Sequence, residues 1–368
     1  MQIACSREVL QKAVSIVSKA VSSKTTMPIL ECILLHTKDN QIYMTANDTE
    51  LGIETVIDGD IQKAGKIAID AKIFAEIVRR LPNNTVYISS ESNDVVKINC
   101  EKANFSIPAK NPEEFVYMPV VEKNRHITLS QFTLKEIIRQ TIFSIADNGN
   151  NPMMAGELIE ISENQLKIVS LDGHRISIRK VTLKDVYAPV KVVIPGKTLN
   201  EVSKILTGDA ESEVSIYFTK NHILFEFDQT TVVSRLIEGE YFRINQMLNS
   251  DYATKITVNK KDMSSCIDRA TLLVKESDKK PIIISITDGN MEVKLNSSYG
   301  SMREDLVIDK IGKDIMIGFN PKFLADALRV IDDENINIYM INPKAPCFIK
   351  DSEESYIYLI LPVNFNVY

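Results

Sequence analysis

Apolar and polar positions follow one another in the same order in three parts of the chain. The segment 70–89, DAKIFAEIVRRLPNNTVYIS, has apolar residues at helical spacing and then alternating positions typical of a strand. A similar segment begins at Pro195, 125 residues later, and another at Asn320, 250 residues after the first. Self-similarity at a fixed step predicts one structural unit that is used three times.

Each unit has two amphipathic helices with apolar residues at i, i+3 and i+4 spacing. Residues that often start helices precede them, namely Ser6, Asp70, Ser130, Gly196, Asn259 and Asn320. One apolar stripe per helix means that only one face of each helix is buried. We predict helices over residues 7–20, 71–80, 131–143, 197–206, 260–275 and 321–331.

Segments of period 2 between and after these helices predict strands joined by polar turns. The first turn of each unit is expected at 38–40, 162–164 and 288–290. Helix, strands, helix, strands is therefore the order in every unit, which predicts an α+β fold with antiparallel sheets and two helices on one face. Short polar joints near 119–125 and 249–254 divide the chain into domains 1–123, 124–250 and 251–368.

The formal net charge of −6 argues at first sight against a nucleic-acid-binding protein. The six predicted helices nevertheless sum to +9, so the strands and loops carry −15. If the helices share one surface, that surface is basic on an otherwise acidic particle. The alternative is that Lys and Arg are ordinary residues of a solvated helix face.

The five cysteines are scattered, with no CxxC pair, and they predict buried or incidental thiols rather than disulfides or a zinc site. No cofactor is indicated. The amino terminus lacks the pattern of a signal peptide, and no apolar run approaches the length of a membrane span, so we expect a cytosolic protein with no membrane partner.

Three similar domains joined by short links predict an arc, and an arc can close by two-fold symmetry. Twelve helices at roughly 9 to 10 Å spacing would line a circumference on the order of 110 Å and an opening of about 35 Å, wider than a DNA duplex. Contacts between basic helices and phosphates in such an opening would be loose and independent of sequence.

Several short segments in order resemble the bacterial DNA sliding clamps, the beta subunits of DNA polymerase III, over essentially the whole chain. These segments are TMPIL at 26–30, Leu81-Pro82, Phe105-Ser106, DGHRI at 172–176, Val193–Pro195 with Lys197, Leu236 with Glu238 and Gly239, GFN at 318–320, and Leu361-Pro362. The resemblance implies a non-enzymatic processivity factor: a head-to-tail homodimeric ring of six domains that encircles duplex DNA.

The resemblance also implies a hydrophobic pocket for short peptide motifs of the replicative polymerase, the clamp loader, repair polymerases and mismatch-repair proteins. By motif it would contain Leu171, Gly173, His174, Arg175, Ile176, Phe242, Met247, Asn320, Phe323, Leu359, Ile360, Leu361, Pro362 and Val363. The chain departs from the family pattern at RINQM (243–247), at the tail 364–368, and at Asn151, where an arginine is common.

For DNA, the resemblance marks Lys24, Lys72, Arg175 and Lys197 as basic positions. Helical placement adds Arg79, Lys135, Arg139, Lys204, Lys260, Lys322 and Arg329. The surface that closes the ring is implied to include Ile77, Phe105 and Ile107 on one side and Leu272 and Leu273 on the other. A role in the core is the alternative for these apolar residues, Ile77 above all.

Two other functions are compatible with the residues alone. Asp172 and His174 are two positions apart and would suit a hydrolase, although no serine elbow, phosphate loop or metal-ligand cluster accompanies them. A repeat protein that binds peptides or scaffolds, with no role on DNA, is the other alternative.

Overall fold

The structure is a computed structural model, and it describes residues 1–368 except 23, 93, 147–150, 249–250, 275–279 and 366–368. The amino end of the second predicted joint, at 249–250, and the predicted end of the fifth helix, Lys275, lie outside the described residues. Among the described residues, no helix has the length and apolar character needed to cross a membrane.

Six α-helices occur in the described part of the chain, at the predicted places. They are α1 (Arg7–Val17), α2 (Ala71–Arg80), α3 (Gln131–Thr141), α4 (Gly196–Ile205), α5 (Lys260–Thr271) and α6 (Pro321–Val330). The predicted extensions of α1 and α3 form 3-10 turns instead, at Ser18–Ala20 and Ile142–Ser144.

The capping chemistry explains where the helices begin. Side-chain oxygens of Ser6, Asp70, Ser130, Asn259 and Asn320 accept hydrogen bonds from backbone amides of the first turn. Gly196 was expected as a cap but is itself the first residue of α4. A Cβ there would lie 3.1 Å from the carbonyl oxygen of Ala155 and closer still to the end of the Ile145 side chain, so a larger residue would require both neighbours to shift.

The strands, in chain order, are β1 (Gln2–Ser6), β2 (Cys32–Lys38), β3 (Gln41–Asn47), β4 (Leu51–Ile57), β5 (Asp60–Lys63), β6 (Lys66–Asp70), β7 (Thr85–Ser92), β8 (Val95–Cys100), β9 (Ala103–Lys110), β10 (His126–Ser130), β11 (Gly156–Leu171), β12 (Arg175–Pro195), β13 (Glu213–Phe218), β14 (His222–Phe227), β15 (Thr230–Arg235), β16 (Thr254–Asn259), β17 (Ile282–Thr287), β18 (Asn290–Ser297), β19 (Gly300–Val307), β20 (Asp309–Gly312), β21 (Ile315–Phe319), β22 (Asn335–Met340), β23 (Cys347–Lys350) and β24 (Tyr356–Ile360). Neighbouring strands pair antiparallel throughout the described residues, as predicted.

The contacts divide the chain into two compact units, 1–134 with 200–236, and 135–199 with 237–368. The first unit holds a 13-stranded sheet of order β10-β13-β14-β15-β4-β3-β2-β6-β9-β8-β7-β1-β5. The second unit holds a seven-stranded sheet, β11-β12-β24-β23-β22-β16-β20, and a four-stranded sheet, β19-β18-β17-β21. The units cut across the sequence repeat because β4 pairs with β15, and β12 with β24.

Two of the three predicted turns form tight hairpins. Asp39 and Asn40 have positive φ between paired Lys38 and Gln41, the backbone of a two-residue hairpin loop. The turn expected at 162–164 is wrong, since these residues lie inside β11, where the pairing with β12 shifts register around Glu163. A single positive φ at Glu163 marks an irregularity in the strand rather than its end.

All five cysteines are free and buried, as the sequence predicted. Burial raises the pKa of the Cys32 thiol to about 11, with nearby carboxylates contributing, so little thiolate exists at neutral pH.

Candidate functional site

The DGHRI segment forms the turn between β11 and β12 in the second unit. Oδ1 of Asp172 accepts hydrogen bonds from the amides of His174 (2.9 Å) and Arg175 (3.1 Å), and Gly173 supplies the positive φ of +87° that the turn requires. The backbone therefore fixes where the side chains of positions 174–176 begin.

Arg175 is the most constrained side chain of this turn, only 8% exposed. Its guanidinium donates to Asp172 (3.0 Å), to Asp326 (2.7 Å) and to the carbonyl of Phe143 (2.6 Å), and it lies 4.5 Å from the ring centre of Phe323. Three of its five N–H donors are thus used inside the protein, and at 8% exposure the guanidinium has little surface to offer a phosphate. The burial argues against the expected DNA contact and leaves Arg175 as a candidate for the pocket alone.

Among the described residues, no hydrogen bond joins the His174 imidazole to Asp172, whose carboxylate accepts from two backbone amides and from Arg175. The ring of His174 instead lies 5.9 Å from that of Phe323 on α6. Asp172 is thus a structural residue of the turn, which removes the geometric basis for a hydrolytic Asp-His pair.

An apolar cluster lies beside the turn and combines residues of β11, β12, β23, β24 and the segment 241–248. From the predicted pocket it contains Leu171, Ile176 and Leu359, with Phe242 packed against it. Ile360 and Phe323 belong to the neighbouring core around α5 and α6. The apolar cluster also includes half-buried side chains that the sequence did not identify: Met154, Ile237, Leu248 and Tyr339.

Of these missed residues only Tyr339 lies in a strand, and the alternation of that strand is also what an ordinary core strand shows. Tyr339, for instance, lies in β22 with the pattern exposed, buried, intermediate, buried, intermediate, buried. Tyr339 pairs with Phe348 of β23, and Phe348 pairs with Leu359 of β24, so strand pairing places it in the cluster and no local signal singled it out.

The remaining predicted pocket residues lie outside this apolar cluster. Asn320 caps α6, and Met247 is 57% exposed at the end of a 3-10 helix, Ile244–Met247. The segment 243–247, where the chain departs from the family pattern, therefore forms a short 3-10 helix with an exposed methionine at its end. Asn151 also caps a 3-10 helix, accepting from the amide of Met153 at 3.0 Å.

The carboxyl end runs beside the DGHRI turn. The amide of Leu361 donates to the carbonyl of His174 at 2.8 Å, and the amide of Val363 donates to Gly318 at 2.8 Å. Leu361 is 37% exposed, whereas Pro362 and Val363 are half-buried. Leu361, Pro362 and Val363 are thus held as an extended edge beside the turn.

The DNA candidates are mostly on helix surfaces. Lys24, Lys72, Arg79, Lys197, Lys204, Lys322 and Arg329 are exposed, whereas Lys135, Arg139 and Lys260 are half-buried. Several of these cations pair with a carboxylate three residues earlier on their own helix, as Arg79 does with Glu76, Arg139 with Glu136, Lys204 with Glu201 and Arg329 with Asp326. Such pairs reduce the positive potential of the helices without removing it.

A groove in the first unit adds two lysines that the candidate set lacked. It has a volume of about 440 Å³ and lies between α1 and the end of α4, lined by Lys12, Lys19 and Lys204 with Glu8 and Ile205 among others. Lys19 also lies 3.9 Å from Glu201. Helical spacing on α1 was the available signal for Lys12 and Lys19.

The candidates for ring closure differ in exposure. Leu272 is 81% exposed and Phe105 is 37% exposed, but Leu273 packs against the core of the second unit, and Ile77 and Ile107 are half-buried. Ile73, one turn before Ile77 on α2, is 47% exposed and was not predicted. Leu272 and Phe105 are therefore the most exposed of the predicted residues, and Ile73 is more exposed than Phe105.

The turn at Asp172 has a counterpart in the first unit. Oδ1 of Asp48 accepts from the amides of Glu50 (3.1 Å) and Leu51 (2.8 Å), and Thr49 has a positive φ of +78°. The carbonyl of Glu50 accepts from the amide of Arg235 at 2.9 Å, as that of His174 does from Leu361. Both turns thus hold the strand of a following domain.

A third turn of this kind is found at the end of β18. Oγ of Ser297 accepts from the amide of Tyr299 at 3.1 Å, and β19 begins at Gly300, three residues after Ser297. β4 and β12 likewise begin three residues after Asp48 and Asp172. Within the described residues, β19 pairs only with β18, and β9 pairs with β6 only at Ala109 and Lys110. Each of these strands therefore has a free edge.

Comparisons with known proteins agree with this geometry. Models of the N-terminal, central and C-terminal domains of the DNA polymerase III beta subunit match residues 1–119, 128–242 and 245–364. A beta sliding clamp of Staphylococcus epidermidis is 31% identical over 358 residues, 94% of each chain.

Solved structures match the fold over nearly the whole chain. A DNA polymerase III beta subunit structure from Eubacterium rectale is 65% identical with a TM-score of 0.97, covering 99% of this chain and all of its own. The DNA polymerase sliding clamp of Bacillus subtilis is 31% identical with a TM-score of 0.95, and each chain is covered completely.

Proposed function

The chain belongs to the DNA polymerase III beta subunit family, the bacterial sliding clamps, and on that premise we propose how its own residues close a ring, contact DNA and bind partners. The family fold is the DNA clamp fold of three similar α+β domains, and its members are non-catalytic processivity factors of DNA replication. DNA, a polymerase and a second copy of the chain are the partners that this role requires.

Ring closure follows from the strand pairs that join consecutive domains. Leu51 of β4 pairs with Ser234 of β15, and Arg175 of β12 pairs with Ile360 of β24, each just after one of the matching turns. β19 follows the third turn and has a free edge. In the first domain, β9 occupies the place that β15 has in the second domain, and β9 also has a free edge. β19 of one copy would therefore pair with β9 of the other.

The two-residue hairpin loops set the register of this pairing. Ala103 follows such a loop as Thr230 does, and Thr230 pairs with Thr55 of β4. Carrying the same spacing to β19 puts Glu304 opposite the partner subunit's Ala103 and Met302 opposite the partner subunit's Phe105. Phe105 would then lie at the centre of the contact with Leu272 near by on α5, which is the apolar surface implied by the resemblance.

DNA would be contacted through long, exposed cations of the helices. We assign this role to Lys24, Lys72, Lys197 and Lys322. Further positive charges of the helices would add to the electrostatic potential that attracts DNA, namely Arg79, Lys135, Arg139, Lys204, Lys260 and Arg329. We do not assign Arg175 to DNA, because it is buried. Contacts of this kind neutralise phosphates without reading bases, so the protein binds independently of sequence and can slide.

Partner peptides would bind at the apolar cluster beside the DGHRI turn. Its buried floor, exposed Met247 and Leu361, and few oriented polar groups are what a short peptide with bulky apolar anchors needs. The replicative polymerase, the clamp loader, repair polymerases and mismatch-repair proteins are the proposed sources of such peptides. Domain limits at 1–123, 124–250 and 251–368 and action in the cytoplasm complete the proposal.

The decisive experiment loads the protein with a clamp loader onto nicked circular DNA and then passes the complex through a gel-filtration column in about 0.2 M salt. Enclosure predicts that the protein stays with circular DNA and is lost when a restriction enzyme linearises it, because an end lets the ring slide off. Equal retention on both forms would indicate ordinary binding. Loss from both forms would favour a repeat protein with no role on DNA.

A further inference from the structure

The carboxyl tail connects the two sheets of the second unit. Leu361 is hydrogen-bonded to His174, in the turn that leads into β12 of the seven-stranded sheet. Two residues later, Val363 is hydrogen-bonded to Gly318 in β21, the edge strand of the four-stranded sheet. The residues between these bonds are the ones that form the rim of the proposed pocket.

Phe365 lies against the same glycine. A Cβ at position 318 would be 2.6 Å from Cδ1 of Phe365 and 2.7 Å from the carbonyl oxygen of Val363, closer than such atoms approach. The φ of Gly318 is not in the left-handed region, so the position requires glycine for space and not for conformation. Gly318 therefore provides the flat backbone surface on which the Phe365 ring and the tail pack.

We propose that Phe365 is a positioning residue for peptide binding: its contact with Gly318 holds Leu361, Pro362 and Val363 in place as the pocket rim. This inference rests on the proposed peptide pocket. Phe365 is the first apolar residue after the segment Leu361–Val363. With the ring in place, the rim is ordered before a peptide arrives, so binding does not have to order it.

The contrary arrangement is a tail that occupies the pocket and competes with peptides. The contacts favour positioning, because Phe365 packs on the four-stranded sheet, whereas the apolar cluster of the pocket is built on the seven-stranded sheet. The two tail amides named above are also bonded to backbone carbonyls, one in the DGHRI turn and one in β21, which orders the tail alongside the turn rather than across the cluster.

The test measures fluorescence anisotropy of a labelled ten-residue peptide with adjacent leucine and phenylalanine anchors, titrated with the full-length protein. Phe365→Ala is expected to weaken binding about five- to tenfold, the scale of ordering a few residues on binding. Phe365→Leu keeps apolar contact and should stay within about twofold of the wild type. Asn364→Ala, at the exposed neighbour, is the matched control and should change nothing.

Hydrogen exchange of the free protein gives an independent measurement. Phe365→Ala and Gly318→Ala should both speed exchange of the Val363 amide, whereas amides of β11 and β12 stay protected, which separates a freed tail from unfolding. Tighter peptide binding by Phe365→Ala would establish competition and overturn the proposal. Unchanged affinity of Phe365→Ala, in an assay in which the wild-type protein binds the peptide, would also overturn the proposal. If the wild-type protein bound no peptide, the pocket itself would be refuted, and this inference with it.

Discussion

Arg175 and Asp326 are joined by a 2.7 Å ion pair in which the two side chains are only 9% and 14% exposed. The pair connects the β11–β12 turn to α6, so it fixes two sides of the proposed pocket with respect to each other. The other carboxylate, Asp172, completes the neutralisation of the guanidinium. Because the charges are buried together, removing one leaves another without its partner.

We therefore expect Arg175→Ala to lower the free energy of unfolding by about 3 to 5 kcal/mol and to abolish peptide binding. Arg329→Ala is a matched control, since Arg329 also pairs with Asp326, at 3.5 Å, but is 65% exposed. Loss of that exposed pair should change stability by less than about 1 kcal/mol. Urea unfolding measures both variants. Equal effects would mean that burial of the Arg175 pair is energetically unimportant.

The fold was largely predictable because its repeat and helix caps are local signals. Helical spacing and capping residues placed all six helices within three or four residues of their observed ends. The bulge at Glu163 was misread as a turn because Ser, Glu and Asn suit both, and only the pairing of β11 with β12 distinguishes them.

The site was less predictable, since burial and pairing depend on distant residues. The burial of Arg175 depends on Asp326, 151 positions away, and on Phe143, neither of which is near DGHRI in the sequence. Exposure also separates Leu272 from Leu273, which look alike in sequence. The local sequence pattern identified candidate site residues, but only the tertiary contacts distinguish a buried structural role from an exposed binding role.

Glu157 gives the protein a pH dependence of stability. Its carboxyl is buried and accepts one side-chain hydrogen bond among the described residues, from the Thr141 hydroxyl at 3.2 Å, and burial raises its pKa from 4.5 to about 8. Between these pH values the unfolded chain has released the proton and the folded chain has kept it. Stability from this group therefore falls as the pH rises, by about 1.4 kcal/mol per pH unit.

Glu157→Gln should remove this slope, so that the difference in unfolding free energy between variant and wild type grows in favour of the variant from about pH 5 to pH 8. Urea titrations at several pH values measure it. Glu163→Gln, at an exposed position of the same strand, should track the wild type. A difference that stayed constant with pH would show that Glu157 is ionised in the folded protein.

Lysines assigned to DNA should be distinguishable from other exposed lysines. Lys24→Ala with Lys197→Ala is expected to reduce the slope of log affinity against log salt by about 1 to 2 while leaving the dimer intact. Lys63→Ala with Lys220→Ala removes the same charge from exposed strand-end positions and serves as the control. Equivalent changes for the two double variants would mean that net charge, and not the positions of Lys24 and Lys197, determines DNA affinity.

Leu272 should act in dimer formation and Leu273 in folding. Leu272→Ser is expected to raise the dimer dissociation constant at least tenfold with unchanged thermal stability, because its side chain is 81% exposed in one copy. Leu273→Ser should also lower the melting temperature, since Leu273 packs on the core. Val120→Ser, at a 99% exposed apolar residue, is the control. Sedimentation velocity that gave identical dimers for all three variants would reject the interface.

The register of the subunit contact can be tested with a disulfide. The proposed pairing of β19 with the partner's β9 puts Ser301 opposite the partner subunit's Ser106, and both positions are exposed in one copy. Paired strand residues bring Cβ atoms within the reach of a disulfide, so Ser106→Cys with Ser301→Cys should form a covalent dimer on mild oxidation.

The five natural cysteines are buried and should contribute little background. Asn104→Cys with Ser301→Cys keeps the same face of β9 but shifts the pairing by two residues, which places the sulfur atoms too far apart. Non-reducing electrophoresis should show the dimer band for the first pair only. A stronger band for the shifted pair would mean that the spacing carried over from β4 and β15 does not hold at the subunit contact.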